Sequence, residues 1–180
     1  ASMDQLTQLW EEGYRGGLPI IFNFFNNFYG MGGQTVGETM AYQVLARIGA
    51  GINPDQMFAE RVDGYNPLAV IDAMRRKKAL IQSGKAPVLL DTLTYRMAGH
   101  SPSDSSSYRS KEEMALWEEH DVLASYGKQL LDAKVATEGE IASIGELATK
   151  LITKAVKLAI DDTKSPRINP NEIPKLMFSN

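Results

Sequence analysis

The chain has 180 residues, 43% of them hydrophobic and 23% charged, which is enough for one domain with a real core. A formal charge of -3 and a pI near 5.5 offer no concentrated basic field for nucleic acid or an anionic membrane, since Arg75-Arg76-Lys77-Lys78 is only a short cluster. The longest apolar stretch, Leu18 to Phe25, is interrupted by Asn23 and falls far short of the roughly 20 residues that cross a bilayer. The absence of cysteine excludes disulfides, thiolate metal sites and a cysteine nucleophile. It fits an intracellular enzyme whose redox chemistry needs a cofactor or a partner.

In chain order, the opening residues Ala1-Ser2-Met3-Asp4 are not those of a secretory signal and read as the interior of a helix. Leu6, Leu9, Trp10 and Tyr14 recur at helical spacing before Gly16-Gly17, a glycine stop. The period then changes. Residues 19–25 form a short, nearly continuous apolar run, the pattern of a parallel strand buried on both faces. It leads into Asn26-Asn27-Phe28-Tyr29-Gly30-Met31-Gly32-Gly33, a loop at the strand's carboxyl end, where open α/β sheets bind ligands. A helix is expected from about Thr35 to Ile48, stopped by Gly49, Gly51 and Pro54.

A second strand is expected over 57–62, a turn over 63–67, a helix over 68–83 ending at Gly84, and a third strand over 87–95. Strand and helix alternate, so the fold class is α/β with a mainly parallel sheet. The loop from Arg96 to Arg109 is about as long as ordered loops without secondary structure become, and loops of that length commonly carry function. Helices are expected over 111–120, 122–134 and 143–161, with Thr137-Glu138-Gly139-Glu140 as a turn and capping region. An irregular tail follows from Ser165. By domain, residues 1–110 read as the α/β part, 111–164 as its helical continuation and 165–180 as the tail.

Two constellations could carry chemistry. In Asn26-Asn27-Phe28-Tyr29-Gly30, a side-chain amide oxygen and a backbone carbonyl two residues later are hard oxygen donors able to bind one face of magnesium. Taken singly, Asn-Asn before glycine is better read as ordinary turn chemistry. In Ala98-Gly99-His100-Ser101-Pro102-Ser103-Asp104, His100 is one of two histidines and lies in a Gly/Ser loop, where an imidazole can exchange protons near neutral pH. His120, beside Asp121 near a helix end, reads as structural. Neither a dinucleotide nor a P-loop fingerprint occurs, and there is no G-x-S-x-G elbow. Trp10, Tyr14, Met74 and Trp117 read as core residues.

Asn26-Asn27-x-Tyr29-Gly30, Arg61-Val62-Asp63-Gly64, Thr94-Tyr95-Arg96, Gly99-His100-Ser101-x-Ser103-Asp104, Ser107-Tyr108-Arg109 and Glu112-Glu113 follow one another along the chain. As an ordered set these motifs resemble the alpha subunit of the decarboxylating component of 2-oxo acid dehydrogenases, the family of the pyruvate, branched-chain 2-oxo acid and acetoin enzymes. The resemblance implies a partial three-layer thiamine diphosphate-binding fold with a helical C-terminal region. It implies thiamine diphosphate and magnesium as cofactors, with Asn27 and the Tyr29 carbonyl as metal ligands and His100 as the catalytic loop residue beside the diphosphate. It also implies Ser101 and Ser107 as regulatory phosphorylation positions, a beta subunit or fused beta region, a lipoyl-bearing acyltransferase and a 2-oxo acid substrate. The compartment implied is the cytoplasm, or the mitochondrial matrix in a eukaryote.

Departures from the pattern shape the remaining expectations. The family's G-D-G acid has no counterpart, because the sequence begins just after its place. These residues alone should therefore offer magnesium only neutral donors and bind the cofactor weakly or not at all. Phe25 is apolar where branched-chain relatives carry arginine and pyruvate relatives an acid, and the stretch from Ala46 to Glu60 is longer than in the relatives. Another thiamine diphosphate enzyme and a noncatalytic assembly domain stand as alternatives.

Overall fold

A computed structural model describes residues 19–41, 43–54, 57–84 and 87–177. The helix expected before Gly16 lies outside the described residues. The chain divides into two compact units, residues 1–126 and 127–180.

The first unit is built on a three-stranded parallel sheet of β1 (Ile21–Asn26), β2 (Phe58–Asp63) and β3 (Val88–Leu93), ordered β1-β3-β2. β3 lies in the middle, and Val88, Leu89, Leu90 and Asp91 are at most 1% exposed. Here the continuous apolar run does mean burial on both faces. For β1 that expectation fails: it pairs only with β3 among the described residues, and Phe25 is 72% exposed. A run of apolar residues does not distinguish a central strand from one at the side of the sheet.

The strands are flush. Ile21 and Phe58 both pair with Val88, and Asn26 and Asp63 both pair with Leu93. Three loops therefore leave one carboxyl edge together, and they are stitched there by the Thr94 amide donating to the Asn26 carbonyl (3.0 Å) and the Gly64 amide to that of Leu93 (2.8 Å).

Between β2 and β3 runs α2 (Pro67–Gln82), preceded in the chain by the short α1 (Arg47–Ile52). Asn66 caps α2 by accepting from the Ala69 amide at 3.2 Å, and Pro67 occupies the first turn, where its missing N–H costs nothing. Ala73 of α2 packs on Val62 and Leu90, with Ile21, Ala69 and Val70 around them. Bidentate bonds from Arg76 to Glu60 (2.6 and 2.5 Å) and an ion pair from Lys77 at 3.1 Å tie the same helix to β2.

Among the described residues of 35–48, the expected helix is absent up to Ala46. Residues 28–41 and 43–46 form turns and isolated bridges, and helix begins only at Arg47, where glycine stops were anticipated. The Thr35 carbonyl accepts from the amides of Glu38, Thr39 and Met40, and Gly37 takes φ +87, a left-handed conformation that a helix cannot contain. Thr35, Val36 and Thr39 are β-branched, which further lowers helix propensity.

After β3 the chain is irregular to Ser110, the N-cap of α3 (Lys111–Glu119), and Asp121 caps α4 (Val122–Asp132) through bonds from Leu123 and Ala124. In the second unit, α5 (Glu138–Ala159) starts five residues earlier than expected, because Thr137 and Glu140 form a complete capping box. The tail is less irregular than anticipated: Asn169 and Pro170 start a 3-10 turn, Pro170–Glu172, that runs into α6 (Ile173–Met177). No helix among the described residues is long and apolar enough to cross a membrane.

Candidate functional site

The loop after β1 is shaped by two successive asparagine turns. Asn26 Oδ1 accepts from the Phe28 amide at 3.3 Å, and Asn27 Oδ1 accepts from the Tyr29 amide at 3.0 Å. Such side chains mimic a backbone turn and tolerate the bend. Phe28 between them has φ +63, unusual for a bulky residue. The turn closes with the Gly30 amide donating to the Gly33 carbonyl (2.8 Å) and the Thr35 amide to the Phe28 carbonyl (2.7 Å).

Below this loop, Asn26 is anchored in the sheet. Its amide nitrogen donates to Asp91 Oδ1 at 3.1 Å, and Asp91 Oδ2 accepts from Arg61 Nε at 2.8 Å and the Ala46 amide at 3.3 Å. Asp91 is fully buried and sits directly opposite Arg61 across the β2–β3 pair. A buried carboxylate holds its charge only with partners of this kind.

The second loop, 94–110, folds over the first. Arg96 donates to the Gly30 carbonyl at 2.7 Å, and the guanidinium of Arg109 donates to the Arg96 carbonyl and, at 2.8 Å, to Ser106 Oγ. Arg109 is 6% exposed, with its guanidinium carbon 5.7 Å from the ring centres of Tyr29, Tyr95 and Tyr108. A desolvated cation held against aromatic faces is attracted by their quadrupoles. Tyr95 meets Tyr29 edge-on at 5.9 Å and stacks on Trp117 at 4.9 Å. Tyr29, Tyr95, Glu113 and Trp117, with Gln34 and Gln43, line a cleft of about 510 Å³.

Tyr29 donates its hydroxyl proton to Glu113 Oε1 at 2.5 Å. Burial, reinforced by this carboxylate, pushes the Tyr29 phenol well above its usual range, so it remains a donor at neutral pH. Burial also raises Tyr95, whose hydroxyl makes no well-aligned hydrogen bond although Arg109 and Glu113 are nearby.

The histidine segment is organised by Asp104. It accepts from the amides of His100 (2.7 Å) and Ser106 (2.8 Å) and from the Tyr108 hydroxyl (2.7 Å). These bonds, that of the His100 amide first, hold its carboxyl down at about 2. Gly99 is needed beside it: a Cβ there would lie 2.8 Å from the Asp104 Cβ. The imidazole of His100 is exposed, as are Ser101 and Ser107, and the Ser101 and Ser103 hydroxyls are 3.0 Å apart.

The sequence candidates thus fall on two adjoining loops. Asn27 and Tyr29 are interlocked in one turn, while His100 has no hydrogen bond to either. His120 caps α3 with its ring nitrogen 2.8 Å from the Leu116 carbonyl, in keeping with its structural reading. Trp117 is not simply core, since it forms a cleft wall. Arg109 and Glu113 had stood only as parts of a motif; their roles arise from contacts with Tyr29 that no local periodicity reveals.

Where magnesium ligands were expected, the described residues offer neutral oxygens, Asn27 Oδ1 with one lone pair free of the Tyr29 amide and the backbone carbonyls of the turn. Among them, no cluster of three His, Cys, Asp or Glu residues could hold a metal. The donor set suits a hard cation whose charge is balanced by phosphate oxygens and by a carboxylate from elsewhere.

The chain is similar to the pyruvate dehydrogenase E1 component subunit alpha type I, mitochondrial, of Ascaris suum, with 34% identity over 89% of this chain and 38% of the relative. To the pyruvate dehydrogenase E1 component subunit alpha of Zymomonas mobilis the identity is 36%, over 79% of this chain and 39% of the relative. With that of Rickettsia conorii it is 32%, over 79% and 43%. The chain spans about two fifths of the length of these curated relatives. A family model described as the dehydrogenase E1 component matches residues 15–168, and the chain belongs to that family.

Proposed function

We propose that these residues are the cofactor-loop part of the alpha subunit of a thiamine diphosphate-dependent 2-oxo acid dehydrogenase, which decarboxylates a 2-oxo acid and passes the acyl group to lipoamide. The observation that carries this reading is the family match over residues 15–168, with both motif loops at one carboxyl edge of a parallel sheet. Pyruvate is the substrate favoured by the relatives' names.

Asn27 Oδ1 and the Tyr29 carbonyl would hold magnesium and, through it, the diphosphate. Thiamine diphosphate, when bound, supplies the nucleophilic carbon and the electron sink for decarboxylation. The work of this chain is placement. The turn over Asn26 to Gly30 fixes the metal donors, Arg96 and Arg109 lock the histidine loop onto that turn, and His100 stands exposed on the loop to hold or give a proton during acyl transfer. A beta subunit or fused beta region would complete the site, and a lipoyl-bearing acyltransferase would take the acyl group. The compartment is the cytoplasm, or the mitochondrial matrix in a eukaryote.

Ser101 and Ser107 are the proposed regulatory positions. Both are exposed, and a phosphate dianion on the Asp104-centred loop would repel that carboxylate and the diphosphate.

The test is to measure carbon dioxide release and acyl transfer separately in the full-length protein with its partner region. His100→Ala is expected to slow acyl transfer by on the order of 100-fold or more. Acyl transfer at the unchanged rate would remove His100 from its role, and no turnover of any 2-oxo acid by the unaltered enzyme would overturn the function.

A further inference from the structure

Ser110-Lys111-Glu112-Glu113 has the sequence of a capping box, in which the serine accepts from the amide three residues on and the glutamate reaches back to the serine amide. In α5 both halves form, between Thr137 and Glu140. In α3 only the first does: Ser110 Oγ accepts from the Glu113 amide at 3.0 Å, while the Glu113 carboxylate turns away and accepts the Tyr29 hydroxyl at 2.5 Å. The side chain that would ordinarily complete the cap is spent on a residue 84 positions earlier.

The recipient sits in a turn that needs an anchor. Phe28 is held at φ +63, a conformation that persists only where the surroundings over-determine it. Asn27 Oδ1 holds the Tyr29 amide, so the backbone on one side of Tyr29 is fixed by a side chain that is itself a candidate metal donor. Tyr95, Tyr108 and Arg109 wall the Tyr29 ring, and Glu113 fixes its far end. Glu113 has little freedom, because its own amide is bound by Ser110 in the first turn of α3.

We propose that Glu113 is a positioning residue for the metal loop: through the Tyr29 hydroxyl it sets the backbone that presents the Tyr29 carbonyl and Asn27 Oδ1 to magnesium diphosphate. This rests on the cofactor reading above and adds to it a residue on a different element. Glu113 touches neither cofactor nor substrate in this role, and it acts entirely through Tyr29.

The experiment uses the full-length protein with its partner region and titrates thiamine diphosphate against it at several magnesium concentrations. Tyr29→Phe and Glu113→Ala keep the Tyr29 carbonyl and Asn27 yet break the anchor, and each is expected to weaken magnesium-dependent binding by about tenfold. Glu113→Gln, whose amide oxygen can still accept the phenol proton, should bind within about threefold of the unaltered protein. The double variant Tyr29→Phe/Glu113→Ala should be no weaker than either single change, because both remove the same interaction. Thermal unfolding of each sample separates loss of fold from loss of the anchor, and the Phe and Gln variants change the least volume.

Single variants that bind as the unaltered protein does, or a double variant about a hundredfold weaker, would overturn the proposal. An unaltered protein that fails to bind the cofactor would instead sink the functional reading on which it rests. The two failures are distinguishable within one titration series.

Discussion

Arg109 packs on the face of Tyr29 with its guanidinium carbon 5.7 Å from the ring centre, while donating to the Arg96 carbonyl and to Ser106 Oγ. One buried cation thus clamps the histidine loop against the asparagine loop. Arg109→Ala leaves those acceptors unpaired and empties space under three rings, and it should destabilise the first unit by about 2–4 kcal/mol. Arg109→Lys should recover little, since a point charge cannot reproduce a fork of donors. Denaturant midpoints of the intact protein check this; a lysine variant matching the parent would contradict it.

Asp91 and Arg61 provide a second test. Asp91→Ala takes the ion-pair partner from Arg61, which keeps only its bond to the Gln43 carbonyl, and removes the acceptor of Asn26 and the Ala46 amide, with an expected cost of about 3–5 kcal/mol. Replacing both partners with apolar residues, Arg61→Met with Asp91→Leu, should regain part of that loss, because no unmatched charge remains, while the Asn26 amide and the Ala46 N–H still lack their acceptor. Equilibrium unfolding of both variants decides the matter. A double variant less stable than Asp91→Ala would contradict the account.

Acid should act on the histidine loop through Asp104. Its carboxyl is held at about 2 in the folded chain, below its usual 3.8, by the His100 and Ser106 amides and the Tyr108 hydroxyl. A depressed carboxyl contributes stability that is complete above its unfolded value and fades as pH falls through the folded one. Loop order should therefore hold down to about pH 4 and be lost toward pH 2. Glu60, held at about 2 chiefly by Arg76, loses its α2–β2 ties over the same acid range. Carboxyl-resolved NMR titration measures both; an Asp104 value near 3.8 would contradict the loop geometry.

Gly99→Ala should disturb the same loop without removing any polar group. The added methyl meets Asp104 at Cβ (2.8 Å), Cγ (3.0 Å) and its carbonyl oxygen (3.0 Å), so Asp104 must shift. Faster hydrogen exchange at the His100 and Ser106 amides is expected, with the sheet amides unchanged. Unaltered exchange at those two amides would count against Asp104 as the organiser.

Much of this fold is legible from sequence where a local signal coincides with a tertiary one. Each strand ends within two residues of its expected boundary, and α2 carries its own cap and stop in Asn66, Pro67 and Gly84. The stretch from Thr35 to Ile48 carries helix-like periodicity, but Gly37 and the converging bonds on the Thr35 carbonyl win locally. The exposure of Phe25 depends on what lies beside β1, which an apolar run does not encode. In the site, the motif residues are visible as residue types at the ends of strands. The clamp of Arg109 and the diverted carboxylate of Glu113 are not, because each depends on a loop brought close by the sheet.

The measurement that bears most directly on the account is a calorimetric titration of the full-length protein, with its partner region, by thiamine diphosphate with and without magnesium, repeated for Asn27→Ala. The account predicts saturable binding that requires magnesium and weakens by roughly 10–100-fold when Asn27 is replaced, the range typical of a disturbed metal site. Binding indifferent to magnesium and to Asn27, or no binding at all, would contradict it.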